Sequence, residues 1–456
     1  MITLPENYNF VAHVLDCADP AAVAMSDPTQ TITYGQLLDR VQRMAYYFHF
    51  KGLKTEQRVA IVRRDGVDTA TMILAVMYYG AVAVPLDPRS TPANLDYCLK
   101  HCGASVVLDE DTDVSQMIDR DHILQRKSTH RDSAAIFMYT SGTTGHPKAV
   151  VHRQATPWII GITAGQRTLD LQPSDVTFAT AKLFFSFGLF NLWNTLVAGA
   201  SVYFNPGISM PGTLAEIVRG RKPTVMISVP VLWGKLARQD IAGNQLRLCL
   251  SGGDRLPETL CQQWQERTGL SLNNLYGSTE TGTAFTYNDG LGNSLGSIGR
   301  AVEGYDLEIR DSQLWVRAPS AGLCYWHDQY WSARQFGEWM PTGDIVSQDE
   351  QGYYHYLGRA SDVIKVNGRY VDLGAIEHMM LSYPGVTEAV VVGKQDDNGQ
   401  ARMKAYVVTD AEIDPSALRN YVRINSTDFP REIKLVESLP RTDTGKVQRY
   451  KLRQLM

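Results

Sequence analysis

Short apolar runs recur along the chain and alternate with longer segments of helical character. The clearest runs are residues 59–62, 105–108 and 224–228. Apolar runs of this length predict β-strands, and strands that alternate with helices predict layers of sheet and helix. The predicted fold class is therefore α/β.

One longer apolar stretch, residues 72–86, is interrupted by Gly80. It is shorter than the ~20 apolar residues that a transmembrane helix requires, so it predicts a buried helix followed by a strand that ends at Pro85. The N-terminus, residues 1–6, lacks the basic and apolar regions of a signal peptide. We therefore predict a cytoplasmic protein with no membrane span.

The length of the chain predicts more than one domain. Its 456 residues, 44% of them hydrophobic, are enough for two or more cores. The clearest boundary lies near residues 358–362, and the stretch after it has a strand pattern of its own, as at residues 389–392. We predict a large N-terminal domain of layered α/β subdomains, residues 1–358, and a small α+β C-terminal domain, residues 359–456.

Charge and cysteine content argue against two classes of site. The formal net charge is −4, and no run of lysines and arginines is long enough to indicate a nucleic-acid groove. Among the 6 cysteines only Cys98 and Cys102 lie close together. Because no second group of ligands is near them in the sequence, two thiols on one helix face explain this pair better than a zinc site. We expect no nucleic-acid partner.

The strongest chemical signal is a hydroxyl- and glycine-rich loop at residues 139–148, between apolar runs at 134–139 and 149–151. Glycines let backbone N–H groups approach an anion, hydroxyls add donors, and lysine supplies a compact positive charge. The lysine falls three residues after the last glycine, which is not the Walker spacing, so a P-loop kinase or GTPase is not expected. A surface turn is the alternative, but the flanking runs favour a phosphate site. Its candidate residues are Thr140, Ser141, Gly142, Thr143, Thr144, Gly145 and Lys148.

A second group of polar residues surrounds an aromatic side chain at residues 274–280. An aromatic face stacks on a purine, hydroxyls bond an α-phosphate, and a carboxylate holds Mg²⁺. Taken alone, the carboxylate is equally well explained as a helix cap. The residues concerned are Tyr276, Gly277, Ser278, Thr279 and Glu280.

Three shorter segments complete the set of groups that ATP chemistry on a carboxylate requires. Two glycines after the run 248–250 let a flat base approach the backbone. An aspartate and an arginine suit ribose hydroxyls. A lysine at position 446 brings positive charge to oxygens that become negative in the transition state. Each has an ordinary structural explanation when taken alone. Their joint occurrence in this order favours an ATP-dependent enzyme. The residues are Gly252, Gly253, Asp254, Asp344, Arg359 and Lys446.

With these motifs the sequence resembles the AMP-forming adenylating enzymes, a superfamily that includes acyl-CoA synthetases, adenylation domains of nonribosomal peptide synthesis and beetle luciferase. The resemblance covers nearly the whole chain. Its most specific segments are YTSGTTGHPKAV (139–150), NLYGSTETG (274–282), PTGD (341–344), GRASDVIKVNGRYV (358–371) and PRTDTGKVQRYKLR (440–453).

The resemblance implies two half-reactions. A carboxylate attacks the α-phosphate of MgATP to give an acyl-adenylate and pyrophosphate, and a phosphopantetheine thiol, of CoA or of a carrier protein, then takes the acyl group. It also implies that residues 140–148 hold the β- and γ-phosphates, that Thr279 meets the α-phosphate and that Glu280 binds Mg²⁺.

The remaining nucleotide contacts follow from the same resemblance. Tyr276 and the segment 252–254 would flank adenine. Asp344 and Arg359 would hold the ribose, and Lys446 would bridge the carboxylate and the α-phosphate during adenylation.

The resemblance also implies that the small domain is mobile. Lys446 is needed for the first step and would obstruct the second, so relatives rotate this domain at a hinge two residues after Arg359. Here the hinge position is Ser361, where the family usually has aspartate or lysine. Rotation would bring Lys365 and Gly368 to the thiol channel.

The sequence identifies the substrate acid less clearly than it identifies the nucleotide site. Residues 182–188, 296–305, 324–326 and 337–339 are most similar to the benzoate–CoA ligase branch, which favours a small or aromatic acid. Residues 281–285, in contrast, lack the histidine-containing pocket of that branch and are closer to peptide-synthesis adenylation domains. Phe184, Trp193 and Trp233 either line an acyl pocket or belong to the core. The substrate-pocket candidates are Phe187, Gly188 and Thr283.

Gly188 argues against an α-amino acid. Amino-acid-activating relatives usually place an aspartate there, and a buried ammonium without that countercharge is costly. Bulky side chains would alternatively shrink the pocket to fit glycine. The preferred function is an acyl- or aryl-CoA ligase, and the runner-up is a stand-alone adenylation enzyme that loads a small amino acid onto a separate carrier protein. A catalytically silent relative is not expected, because the candidate catalytic residues are retained.

Overall fold

The computed structural model of the chain describes residues 2–118, 122–125, 127–140, 147–326, 336–360, 363–366, 369–395, 401–441 and 447–456. Several predicted site residues lie outside these ranges, and their roles stay predictions. They are Ser141, Gly142, Thr143, Thr144, Gly145, Ser361, Gly368 and Lys446.

Strands and helices alternate through most of the described chain, and the predicted α/β class is confirmed. The strands, numbered in chain order, are β1 (Val23–Ser26), β2 (Thr31–Thr33), β3 (Arg58–Val62), β4 (Val82–Pro85), β5 (Val106–Asp109), β6 (Ala134–Thr140), β7 (Lys148–Arg153), β8 (Val176–Ala179), β9 (Ser201–Tyr203), β10 (Val225–Ser228), β11 (Leu248–Gly252), β12 (Leu272–Ser278), β13 (Thr283–Asn288), β14 (Arg300–Ala301), β15 (Asp306–Arg310), β16 (Gln313–Arg317), β17 (Cys324–Tyr325), β18 (Met340–Gln348), β19 (Tyr354–Arg359), β20 (Ile364–Val366), β21 (Arg369–Val371), β22 (Val386–Gln395), β23 (Ala401–Thr409) and β24 (Glu432–Leu435).

The α-helices are α1 (Phe10–Cys17), α2 (Tyr34–Phe50), α3 (Val67–Tyr79), α4 (Pro92–Cys102), α5 (Thr156–Ile160), α6 (Ser186–Val197), α7 (Pro211–Gly220), α8 (Pro230–Leu236), α9 (Glu258–Thr268), α10 (Leu373–Leu381), α11 (Pro415–Asn425) and α12 (Arg449–Gln454). Residues Gly161–Thr168 form a π-helical segment directly after α5. None of the helices in the described ranges combines the length and apolarity that a bilayer span requires.

Two sheets dominate the larger part of the molecule. One has nine strands in the order β14-β13-β12-β11-β10-β8-β9-β1-β2, and the other has six in the order β17-β7-β6-β4-β3-β5. Strands β8, β10, β11 and β12 run parallel, so their carboxyl ends and the loops that follow them meet at one edge. Such an edge is where ligands bind in open α/β sheets.

The apolar stretch at residues 72–86 folds as its sequence predicts. Helix α3 is buried along nearly its whole length, as expected for a helix that is apolar on all sides. It ends at Gly80, whose φ of 86° is left-handed and favours glycine, and β4 follows and ends at Pro85. The expectation of a buried helix followed by a strand is confirmed.

The described chain divides into two compact units. The larger contains residues 1–307 and 316–340, and the smaller contains residues 308–315 and 341–456. The predicted domain boundary after residue 358 stays a prediction.

The smaller unit has its own apolar core and a partly buried ion pair. Helices α10 and α11 share a buried cluster with strands β22 and β23. The carboxylate of Glu377 on α10 accepts the N–H of Val391 at 2.7 Å and two hydrogen bonds from Arg449 at 2.5 and 2.7 Å. Because Arg449 is the first residue of α12, this pair attaches the last helix to the core.

Candidate active site

The predicted phosphate loop joins two paired strands. Strand β6 ends at Thr140 and β7 begins at Lys148, and these two residues lie opposite each other in the antiparallel ladder. The structure thus brings together the two ends of the loop, while the residues between them lie outside the described ranges. The Nζ atom of Lys148 lies 5.6 Å from the centroid of the Tyr325 ring.

The second motif forms the turn between β12 and β13. Tyr276 is half-buried and packs edge-to-face against Phe285, with the ring centroids 5.4 Å apart. At Gly277 a Cβ atom would collide with the carbonyl oxygen of Thr283, so this position excludes side chains. The backbone N–H of Ser278 donates to the hydroxyl of Thr281 at 3.3 Å, which closes the turn. The turn therefore presents one face of Tyr276 with a rigid backbone beside it.

Thr279 and Glu280 follow directly in this turn and are half-buried. The hydroxyl of Thr279 lies 3.4 Å from the Oγ atom of Ser186 at the start of α6. The hydroxyl of Tyr325 donates a hydrogen bond of 2.6 Å to Oε1 of Glu280, and the N–H of Gly322 donates to the Glu280 carbonyl at 2.9 Å. Both the backbone and the carboxylate of Glu280 are thus held in place.

These groups fit a magnesium ion. Mg²⁺ prefers oxygen ligands and is commonly held by one or two carboxylates together with substrate phosphates. Glu280 supplies a half-buried carboxylate, and the preceding residue, Thr279, places its hydroxyl beside that of Ser186. Among the described residues no cluster of three or more histidine, cysteine, aspartate or glutamate side chains is found. The donor set therefore suits a metal that arrives with a nucleotide rather than an all-protein metal cage.

A histidine that the sequence reasoning missed supports the same turn. His152 lies on β7, is fully buried, and places its Nε2 atom 2.8 Å from the carbonyl oxygen of Thr279. Because a carbonyl only accepts, Nε2 carries the proton and donates. Burial lowers the pKa of His152 to about 4, although the bond to Thr279 and the nearby Glu280 charge oppose this shift. The histidine is therefore neutral at physiological pH and ties the strand after the phosphate loop to the turn that carries Glu280.

The glycines at the end of β11 allow close packing. A Cβ atom at Gly252 would lie 2.8 Å from both the Leu275 carbonyl oxygen and the Cζ atom of Phe187. Gly253 follows with a φ of 81°, in the left-handed region that favours glycine. Asp254 is exposed, and its Oδ1 atom accepts the N–H of Arg255 at 2.7 Å. The end of β11 therefore presents backbone without side chains towards Phe187.

The three substrate-pocket candidates differ in their surroundings. Phe187 is half-buried on α6 and stacks on Phe190 at 5.9 Å between ring centroids. Thr283 is 5% exposed, and its Oγ1 atom has no hydrogen-bond partner among the described residues. At Gly188 a Cβ atom would collide with the backbone of Lys182. Close packing therefore accounts for the glycine at 188, where no aspartate side chain would fit.

Two of the other three aromatic candidates lie in the core rather than in a pocket. Trp193 and Trp233 are fully buried, and their rings pack against Phe10 and Trp264 respectively. They belong to the core. Phe184 is also buried, beside the exposed Phe185.

In the smaller unit the predicted ribose pair comes together. Asp344 on β18 and Arg359 on β19 are opposite each other in the antiparallel ladder, and Oδ1 of Asp344 lies 3.1 Å from Nη1 of Arg359. Asp344 is buried, while Arg359 is exposed. Lys365 lies in β20, which pairs with β21.

Two residues of this site, His152 and Tyr325, were missed by the sequence analysis. His152 lies on the same strand as Lys148 and four residues after it, so strand alternation puts both on one face, and that spacing was the available signal. Tyr325 is 45 residues from Glu280 and has no local signal, because β17 comes beside β7 only in the folded sheet.

Comparisons with known proteins show which family the chain matches. A family described as AMP-binding enzyme matches residues 16–326, and one described as AMP-binding enzyme C-terminal domain matches residues 375–446. The 4-hydroxybenzoate–CoA/benzoate–CoA ligase of Rhodopseudomonas palustris is 30% identical over 95% of this chain and 90% of its own length. The benzoate–CoA ligase of Thauera aromatica is 29% identical over 99% and 97%. A solved anthranilate CoA ligase in complex with anthranoyl-AMP superimposes with a TM-score of 0.87 at 28% identity, over 99% of this chain and 98% of that one.

Proposed function

The chain belongs to the AMP-binding enzyme family and is an AMP-forming acid–thiol ligase, and from this we propose that its acid is aromatic and its thiol is CoA. The observation that carries the proposal is the likeness to aryl–CoA ligases along nearly the whole chain. The end of β11 supports it, because the Phe187 side chain packs against a strand end that has no side chain and stacks on Phe190. Such a wall accepts an aromatic ring and offers no charge to an ammonium group.

In the first proposed step the substrate carboxylate attacks the α-phosphate of ATP, and pyrophosphate leaves. Residues 140–148 hold the β- and γ-phosphates, with Lys148 supplying charge, while the Thr279 hydroxyl meets the α-phosphate. Glu280 would hold Mg²⁺, which neutralises phosphate charge when it is bound. Lys446 would bridge the carboxylate and the α-phosphate, where a cation stabilises the developing negative charge.

Further contacts to adenine and ribose are proposed from the same resemblance. Tyr276 would cover one face of adenine, and Gly252, Gly253 and Asp254 would form its other boundary. The Asp344 carboxylate would accept hydrogen bonds from the ribose hydroxyls. Arg359, whose Nη1 atom lies 3.1 Å from Oδ1 of Asp344, would hold that carboxylate in place. We also propose that the enzyme acts in the cytoplasm.

In the second proposed step the CoA thiol attacks the acyl carbon, and AMP leaves. For this step the domain that carries Lys446 would rotate at Ser361 and bring Lys365 and Gly368 to the thiol channel. A bulky residue at Gly368 should then impair thioester formation more than adenylation, measured as acyl-CoA and pyrophosphate release on the same enzyme. Equal losses in both steps would contradict the rotation.

A carrier-protein ligase for a small amino acid is the disfavoured alternative. The backbone of Lys182 blocks any side chain at Gly188, so no carboxylate at that position meets an ammonium group. An unpaired ammonium in a buried pocket is costly.

One screen separates these alternatives. Pyrophosphate release is measured with benzoate, hydroxy- and aminobenzoates, short fatty acids and glycine, and thioester formation is measured with CoA and with a phosphopantetheinylated carrier protein. We expect turnover with an aromatic acid and transfer to CoA. Activity confined to glycine, or transfer to the carrier protein alone, would overturn the proposal.

A further inference from the structure

Tyr325 lies between two charged side chains to which the proposed function gives separate tasks. It is the last residue of β17, which pairs antiparallel with β7, and it stands opposite Val150, two residues from Lys148. The turn that carries Glu280 belongs to the other large sheet. Tyr325 therefore lies between β7, the strand that follows the phosphate loop, and the Glu280 carboxylate.

The side chain of Tyr325 contacts both charges. Its hydroxyl donates to Oε1 of Glu280 at 2.6 Å, and its ring centroid is 5.6 Å from Nζ of Lys148. The ring of Phe336 packs edge-on against it at 5.1 Å. Among the described residues, the Tyr325 hydroxyl is the one side-chain donor to the Glu280 carboxylate, and it leaves Oε2 available.

We infer that Tyr325 is a positioning residue that holds Glu280 with one oxygen bonded and the other presented to Mg²⁺, while its ring face keeps the Lys148 ammonium at the phosphate site. This inference rests on the metal and phosphate roles proposed above. Partners that orient a metal ligand through a hydrogen bond commonly change metal affinity by about 10- to 100-fold when they are removed. A cation that faces an aromatic ring at this distance gains a smaller, separate attraction.

Two substitutions separate the hydroxyl from the ring. Tyr325→Phe removes the bond to Glu280 and keeps the ring, whereas Tyr325→Leu removes both. The readout is thermal stabilisation of the whole chain by ATP, which requires no acid and no turnover. It is titrated once with ATP in EDTA and once with Mg²⁺ at fixed ATP.

For Tyr325→Phe we expect the Mg²⁺ concentration at half-maximal stabilisation to rise about tenfold, with the EDTA titration unchanged. For Tyr325→Leu we expect the same rise and also a twofold to fivefold weaker response to ATP in EDTA, because Lys148 loses its support. Tyr47→Phe is the matched control, since Tyr47 is also a half-buried tyrosine with a lysine, Lys51, 5.5 Å from its ring centroid. It should change neither titration.

The interaction with Glu280 is tested in a Glu280→Gln background. If Tyr325 acts through that carboxylate, Tyr325→Phe should have no further effect there. An equal Mg²⁺ shift in both backgrounds, or no shift in the wild-type background, would overturn the inference. If Mg²⁺ does not change the response of the wild type to ATP, the proposed metal role of Glu280 is wrong, and this inference fails with it. Melting points without ligand show whether each variant is folded.

Discussion

A single buried histidine should make the stability of this protein depend on pH. His152 is fully buried, and burial lowers its pKa from the ordinary 6.5 to about 4. As the pH falls below about 6.5, the unfolded chain takes up a proton on this side chain while the folded chain does not. The stability that comes from the neutral histidine is therefore present above pH 6.5 and is lost as the pH falls towards 4.

The size of this effect follows from the shift. A difference of about 2.5 pKa units, from 6.5 to about 4, corresponds to about 3 kcal/mol in the free energy of unfolding at about 1.4 kcal/mol per unit. At pH 4.5, where the folded histidine is still mostly neutral, about 2.5 kcal/mol of this would already be lost.

The substitution that removes the titration is His152→Gln, whose amide can still donate towards the Thr279 carbonyl. Guanidinium unfolding, followed by tryptophan fluorescence, is measured at pH 7.5 and pH 4.5 for both proteins. The wild type should lose about 2.5 kcal/mol more than the variant between the two pH values. His49→Gln, at an exposed position of the same unit, is the control and should behave as the wild type. If the wild type and His152→Gln lose equal stability, the reasoning is wrong.

Three other substitutions test separate parts of the argument. Lys446→Ala should reduce carboxylate-dependent pyrophosphate release by about a hundredfold or more, the size expected for a lost transition-state cation, and unchanged release would refute its role. Gly188→Ala should lower the unfolding free energy by about 1–3 kcal/mol without any substrate, because the new Cβ meets the Lys182 backbone; an unchanged melting point would show that the helix yields easily. Arg449→Leu should cost about 3 kcal/mol in the smaller unit, because Glu377 stays buried without its cation, and removing both charges should recover part of that loss.

Local patterns predicted much of the fold. The apolar stretch broken at Gly80 became α3 and β4, and the runs on either side of the phosphate loop became β6 and β7. These features depend on side-chain periodicity and on a glycine that adopts a left-handed conformation, so neighbours in sequence determine them. The pairing of Asp344 with Arg359, two residues that the sequence analysis assigned to the same ribose, likewise depends only on the hairpin of β18 and β19.

The remaining features depend on pairing between distant segments. Residues 308–315 belong to the smaller unit because β15 and β16 join the sheet of β18 and β19, and no local pattern encodes that choice. Trp193 and Trp233 have the same apolar character as Phe187, yet only the fold decides that they belong to the core. The contacts of Tyr325 likewise exist only once β17 lies beside β7.

The backbone packing around Gly188, Gly252 and Gly277 limits which substitutions this scaffold tolerates. A side chain at any of these positions would meet a carbonyl oxygen of a neighbouring segment, so mutation there disturbs the scaffold before it changes the choice of acid. Phe187, on the first turn of α6, instead presents its ring to the end of β11 and to Phe190. New substrate preferences should therefore arise through that ring and through Thr283, while the three glycines stay fixed across descendants with different acids.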